Sequence, residues 1–194
     1  MEHTVTLKDG SEVLIRELAA DDVDRSLAFF KALPEEDRIF LRRPVETKES
    51  VIRRVRTMES GFARRLVATV GKKIVADGAL ELDPDGWSEH VGEIRLIVAR
   101  DYQGKGLGQL MAFELYKLAN IEKVEEIIVR IMGPQTGVQR MFEKMGFRRE
   151  AELHDYVKDM KGVKHDLVLM RCRLQELWLR MEDEMTTSDW RPTH

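Results

Sequence analysis

Several common kinds of protein are excluded by what this chain has little of. Its single cysteine, Cys172, cannot form an internal disulfide and leaves too few thiolates for a metal cluster; in an apolar strand setting it reads as a packed thiol. Five histidines, His3, His90, His154, His165 and His194, show neither H-x-x-H nor H-E-x-x-H spacing, so no metal site is suggested. No run of roughly 18 apolar residues occurs, and the opening Met-Glu-His-Thr-Val-Thr has no positive stretch followed by an apolar one. The expectation is a soluble, cytoplasmic protein with no membrane partner. With 32 basic against 35 acidic residues and a formal net charge of −3, a nucleic-acid-binding surface over the whole protein is not expected either. Internal repeats and low-complexity linkers are missing. A chain of 194 residues is long enough for one well-buried core and short for two.

What stands out is residues 94–118. An apolar strand, Ile94 to Val98, meets a turn holding Gly104, Gly106 and Gly108, and then a helical pattern with Leu107, Leu110, Met111, Leu115 and Leu118 on one side. Glycines let backbone N–H groups crowd toward a ligand, and a helix beginning near Leu107 adds unpaired N–H groups and the positive end of its dipole. Phosphate or pyrophosphate is the natural occupant. A dinucleotide fingerprint fails because Gln109 stands where its third glycine should be. A Walker A loop fails because Lys105 has neither its spacing nor a hydroxyl neighbour.

The surrounding chain reads as one α+β, or mixed α/β, domain. Thr4 to Leu7 and Glu12 to Glu17 alternate about an Asp-Gly turn. Val23, Leu27, Phe30 and Leu33 mark a helix ended by Pro34, with Asp21 and Asp22 suited to cap it. A second helix starts at Thr47, shows Val51, Val55 and Met58, and stops at Gly61. Arg64 to Val70, Lys73 to Leu82 and Val91 to Val98 read as strands, then the long helix, then a strand from Glu125 to Met132. From Pro134 another helix shows Val138, Met141 and Met145 on its apolar side and ends at Gly146. Phe147 to Val157 and His165 to Arg173 form a final pair of strands. Domain limits of 1–173 follow, with an appended helix over 174–185 and a polar, disordered tail over 186–194. The stripe Leu174, Leu177, Trp178 and Met181 on that helix can pack on its own domain, close a cleft or dock on a second subunit as a homodimer.

Gln103-Gly104-Lys105-Gly106-Leu107-Gly108 closely resembles the cofactor motif Q/R-x-x-G-x-G/A of the GNAT superfamily of N-acetyltransferases, with Gln103, Gly106 and Gly108 at the matching positions. Gln139 to Phe147, containing Phe142-Glu143-Lys144-Met145-Gly146-Phe147, resembles a second landmark of that family, an aromatic residue followed by E-K-x-G-F. The element order is also that of the family, so the resemblance covers roughly residues 3 to 173. It implies a single domain whose central sheet is mostly antiparallel, twisted, splayed at the cofactor site and flanked by helices. It also implies acetyl-CoA, or another short acyl-CoA, as cofactor, with its pyrophosphate on the amides of Gln103, Gly104, Lys105, Gly106, Leu107 and Gly108. The opening Leu7 to Arg16, with the Asp21-Asp22 helix and Phe29-Phe30, more weakly resembles the acetyltransferase domain of bacterial protein lysine acetyltransferases. A small-molecule amine and a protein lysine are both admissible acceptors.

Acyl transfer from a thioester to an amine needs a neutral nitrogen, so some group must accept a proton. Glu93 is the first candidate: it breaks an apolar strand ahead of the turn and matches the general-base position of lysine-modifying relatives. Its bland alternative is a solvent-facing carboxylate paired with Arg95, which shares its parity. Glu81 on the neighbouring strand is the runner-up, and Tyr156 and Tyr102 offer hydroxyls. Backbone N–H groups at Ile97 and Val98 would polarise the thioester carbonyl where the sheet parts. Gln135, rather than Gly137, has a side chain able to bond the pantetheine arm. Phe142 occupies the position at which many relatives carry a tyrosine that protonates the departing thiolate, and a phenyl ring cannot do so. That substitution keeps open a second class, a non-catalytic or weakly catalytic acyl-CoA-binding regulatory protein. Lys105 and Arg100 flank the turn, and Arg38, Arg42, Arg43, Arg53, Arg54 and Arg56 make a positive region that either steers an anionic ligand or is simply solvated.

Overall fold

The computed structural model describes residues 2–45 and 47–176. Eight strands form one sheet: β1 (Glu2–Thr6), β2 (Glu12–Glu17), β3 (Ala63–Val70), β4 (Lys73–Glu81), β5 (Val91–Val98), β6 (Glu126–Met132), β7 (Arg148–Lys158) and β8 (Lys164–Arg173). Their order is β1-β2-β3-β4-β5-β6-β8-β7, and every neighbouring pair is antiparallel except β5 and β6. A parallel pair cannot be joined by a hairpin, and here the connection is α4 (Leu107–Ile121), the helix that follows the glycine turn. The result is a mixed α/β fold with a twisted, mostly antiparallel sheet flanked by helices.

Helices α1 (Val23–Ala32) and α3 (Lys48–Glu59) cover one face, closing Phe29, Phe30, Leu33 and Val55 over Val67 and Ile74. A four-residue helix, α2 (Glu35–Arg38), lies between them. Helix α4 covers the other face, where Leu107, Met111, Leu115 and Leu118 pack on Leu66, Ala68, Leu80 and Ile94. Gly78 is required there, since a Cβ would come within 2.9 Å of Leu115 Cδ1 and 3.2 Å of Met111 Cε.

Two local expectations change. Asp22 stands at the N-cap of α1 without a capping bond, because its fully buried carboxylate accepts from Arg16 Nη1 at 2.6 Å and from the Ala19 N–H at 2.9 Å. In α5 (Thr136–Lys144) the buried residues are Gln139 and Phe142, while Val138 is exposed and Met141 and Met145 only border the core. Thr47 does cap α3, accepting from the Ser50 N–H at 3.2 Å. Of the expected 174–185 helix and 186–194 tail, residues 177 onward lie outside the described residues, so the stripe formed with Leu177, Trp178 and Met181 does too. Leu174 itself is buried, its carbonyl accepting from Tyr116 Oη at 3.1 Å. No described helix is long and apolar enough to cross a membrane.

Candidate active site

Strands β5 and β6 run side by side for only three positions, Val91↔Glu126, Gly92↔Ile127 and Glu93↔Ile128, and then part. Beyond Glu93, β5 keeps a ladder with β4 alone, and the other edge opens. The Ala99 N–H bonds to Val75 O at 2.8 Å, and Ile97 sits opposite Asp77. Alternation along an antiparallel ladder then commits the Ile97 amide to β4 and turns the N–H groups of Leu96 and Val98 toward the opening. Of the two amides expected there, Ile97's is therefore directed elsewhere, and Leu96's was overlooked.

At the end of β5 the chain makes a 3-10 turn, Arg100–Tyr102, and enters the glycine segment. Gly104 (φ +72) and Gly106 (φ +91) hold left-handed conformations that a side chain would strain, and Gly106 is the N-cap of α4. The Gln103 N–H is already bonded to Arg100 O at 3.1 Å. The amides of Gly104, Lys105, Gly106, Leu107 and Gly108 have no backbone partner among the described residues. Gln103 acts through its side chain instead: Nε2 donates to Val98 O at 2.9 Å and ties the turn to the strand end. The tip of the β1–β2 hairpin braces the turn from outside. The Lys8 N–H bonds to Lys105 O at 3.1 Å, and Lys105 Nζ pairs with Asp9 at 2.8 Å. Lys105 is thus directed to Asp9, whose carboxyl it holds, with help from Ser11, well below the usual carboxylate range. Arg100 is likewise taken by Asp37 at 3.0 Å.

Glu93 lies at the fork itself, in the last β5–β6 pair. Its side chain is 12 % exposed and meets Arg42 from the α2–α3 connector, with Arg130 Nε of β6 at 3.8 Å and Arg95 Nε at 3.9 Å. Arg42 Nη2 also donates to Arg130 O at 3.2 Å, so the connector bridges both arms of the fork. Glu81, directly opposite Glu93 on β4, forms an ion pair with Arg95 Nη2 at 2.6 Å, with Arg65 Nη2 at 3.7 Å. Arg65 Nε donates to Arg54 O at 3.2 Å, and Arg54 pairs with Asp77 while its guanidinium lies 4.8 Å above the Phe30 ring. Burial first, and then neighbouring Arg54, pull Arg65 down to about 10; burial and then Arg42 lower Arg95.

Other expected residues do not join this group. Phe142 is buried with its ring edge-on to Phe147, centroids 5.0 Å apart, leaving little surface for a cofactor. Tyr156 is 66 % exposed on β7, where the ladder to β8 is irregular. Gln135 turns its Oε1 back to the Met132 N–H at 3.1 Å. The neighbour that sequence reasoning missed is Gln139. Buried in α5, it donates to Gly133 O at 2.9 Å and accepts from Arg149 at 3.1 Å, fixing the β6–α5 turn. Arg42, Arg54 and Arg130 carried no more signal than any solvated arginine, whereas Arg95, considered as a partner of Glu93, stands closer to Glu81, at 2.6 Å against 3.9 Å. Only contact across the fold separates them.

Residues 26–147 match the model of the acetyltransferase (GNAT) family, and the chain belongs to that family. Membership supports acyl-CoA-dependent acetyl transfer as its general chemistry. No curated protein sequence matches the chain significantly. Among solved structures, the GNAT domain of S. lividans PAT is 17% identical with a TM-score of 0.74, covering 89% of this chain and 96% of that one. The spermidine/spermine N-acetyltransferase SpeG of Vibrio cholerae, in mutant forms, is 17% identical with a TM-score of 0.72, covering 87% and 98%. Salmonella typhimurium yncA with its cofactor acetyl-CoA is 19% identical with a TM-score of 0.72, covering 84% and 95%. At such identities the likeness is one of fold, and its members are diverse rather than specifically protein lysine acetyltransferases.

Proposed function

We propose that this protein is an N-acetyltransferase that moves an acetyl group from acetyl-CoA, or another short acyl-CoA, to a primary amine by direct transfer, within a domain spanning residues 1–173. The observation that carries the reading is the run of unpartnered amides from Gly104 to Gly108 at the end of a strand that has parted from its neighbour. Val98 lies five positions beyond Glu93, roughly 17 Å at the rise of a strand. That span suits an extended pantetheine arm between a pyrophosphate on the turn and a thioester near the fork.

Bound there, acetyl-CoA would supply an acyl group already activated as a thioester. The chain's amides at Gly104 to Gly108 hold the diphosphate, aided by the N-terminal end of α4. Of the open-side N–H groups, that of Leu96, the nearer to the fork, would polarise the carbonyl, and that of Val98, nearer the turn, would bond the arm. Glu93 accepts the proton that the acceptor ammonium must lose, Glu81 keeps Arg95 in place, and Gln135 retains its Nε2 for the arm. The nitrogen–carbon bond forms as the carbon–sulfur bond breaks, and the electron pair leaves on sulfur. Phe142 donates no proton and Tyr156 is turned to solvent, so neither serves as the acid for the departing thiolate.

Calorimetry with acetyl-CoA, together with thiol release over a panel of amines and peptides, tests this. Saturable binding with acceptor-stimulated release is expected. Binding without release would favour the alternative of an acyl-CoA-binding regulatory protein, for which Arg42 on Glu93 and the missing tyrosine speak. No binding at all would remove both.

A further inference from the structure

The charged string on the α1–α3 face is unbalanced. Arg42, Arg54, Arg65, Arg95 and Arg130 stand against Asp77, Glu81 and Glu93, five guanidinium groups to three carboxylates among the described residues. A string of paired charges that served only packing would be near neutrality, because an uncompensated charge in a partly dry setting is costly. Here the surplus is positive and partly unsatisfied. Arg95 Nε and Arg54 Nε are buried without a hydrogen-bond acceptor, as Asp77 Oδ2 and Glu93 Oε1 are without a hydrogen-bond donor, while Arg65 is 5 % exposed with its nearest described carboxylate oxygen 3.7 Å away and Arg130 finds its nearest at 3.8 Å. The depressed ionisation of Arg65 and Arg95 has the same origin, each being lowered by burial and by a neighbouring arginine.

Such a site is poorly suited to an acceptor that brings only positive charge, such as a polyamine. We propose that the acceptor is an amino-acid-like molecule carrying a carboxylate close to the amine that is acetylated, and that Arg42 and Arg130 at the fork receive that carboxylate. Guanidinium groups meet carboxylates through paired N–H donors, and these two arrive from separate elements, Arg42 from the connector that bridges the fork and Arg130 from β6. Arg42 is at present engaged by Glu93. An incoming carboxylate that shares or takes Arg42 frees a Glu93 oxygen at the moment an ammonium group arrives beside it. An acceptor of this class would therefore release the base that it needs.

The inference rests on the acetyl-transfer reading above, so its test begins with binding and not turnover. N-acetylglycine, N-acetylmethionine and N-acetylglutamate, each beside its C-terminal amide, are titrated calorimetrically into the CoA-saturated protein. At least one carboxylate should bind about tenfold tighter than its amide, a difference that Arg130→Gln should abolish while CoA affinity and the melting temperature stay near wild type. Arg130→Lys, which keeps charge but loses the planar fork, should retain part of it. Equal binding of acids and amides, or no binding of either, overturns the proposal. Thiol release driven faster by spermidine than by the free amino acids overturns it too, while leaving acetyl transfer intact. Failure to bind CoA in the first place would count against the parent reading and is seen before any acid or amide is added.

Discussion

Toward α4 the sheet presents Leu66, Ala68, Leu80 and Ile94, and toward α1 and α3 it presents Arg65, Asp77, Glu81, Glu93 and Arg95 among a few apolar neighbours. Both faces are largely shielded from water; the first is made of residues that gain by it, while the second sets an apolar cluster, Val67 and Ile74 under Phe29, Phe30 and Val55, beside charged residues that do not. Burying apolar side chains stabilises at about 25 cal/mol per Å², whereas charges must be paired merely to recover their desolvation. Both apolar clusters therefore contribute to folding, and the charged string beside the second one adds little to it. The fork between β5 and β6 lets one strand serve both purposes, with Ile94, Leu96 and Val98 turned to the α4 side and Glu93 and Arg95 to the other.

The sharpest way to separate the faces is Glu93→Gln. Turnover should fall about 10²- to 10⁴-fold, the usual worth of general acid–base catalysis, with acetyl-CoA affinity nearly unchanged. A pH–rate profile identical to wild type would exclude Glu93 as the base. On the apolar face, Leu115→Ala should cost about 2–5 kcal/mol in urea unfolding, as for other buried leucines, while the fraction still folded keeps its affinity for acetyl-CoA. Equal damage to catalysis by both variants would erase the contrast.

Gly106→Ala bears on the turn, where φ is +91. Forcing a Cβ into that conformation should cost about 1–2 kcal/mol. The dissociation constant for acetyl-CoA should rise about tenfold as the amides shift, equivalent to about 1.4 kcal/mol. An unchanged constant by calorimetry would mean that these amides do not hold the ligand. The smallest effect is expected at Asp9, whose native ionisation is depressed by Lys105 and Ser11. A carboxylate lowered on folding contributes stability above its unfolded value of about 3.9 and loses it as pH falls toward the native one. Asp9→Asn should therefore lower Tm slightly at pH 7, with the gap to wild type closing in acid. The group is exposed and its ion pair is at the surface, so a large difference would point to a structural change at the hairpin tip.

Much of this was legible from sequence because its causes are local. The strand, the glycines and the helix start lie within one short run, and Glu93 announced itself as a carboxylate in an apolar strand. The same logic misled where tertiary packing decided. Phe142 looked like a cofactor neighbour by motif, but Phe147 draws its ring into the core. Asp22 looked like a cap, but Arg16 claims its carboxylate. Lys105 flanks the turn in sequence, but the side chain that meets it is Asp9 of the β1–β2 hairpin. Arg42 was one arginine among six until the fold carried its connector across to β6.

That hairpin has a practical consequence. Because Lys8 and Asp9 grip Lys105 through main chain and side chain, the loop that would cradle the coenzyme is anchored by the first ribbon of the polypeptide. Fusions or deletions that disturb residues 2–9 should loosen coenzyme binding without touching the cradle. Conversely, saturating the cradle with acetyl-CoA should slow deuterium uptake at the Lys8 amide.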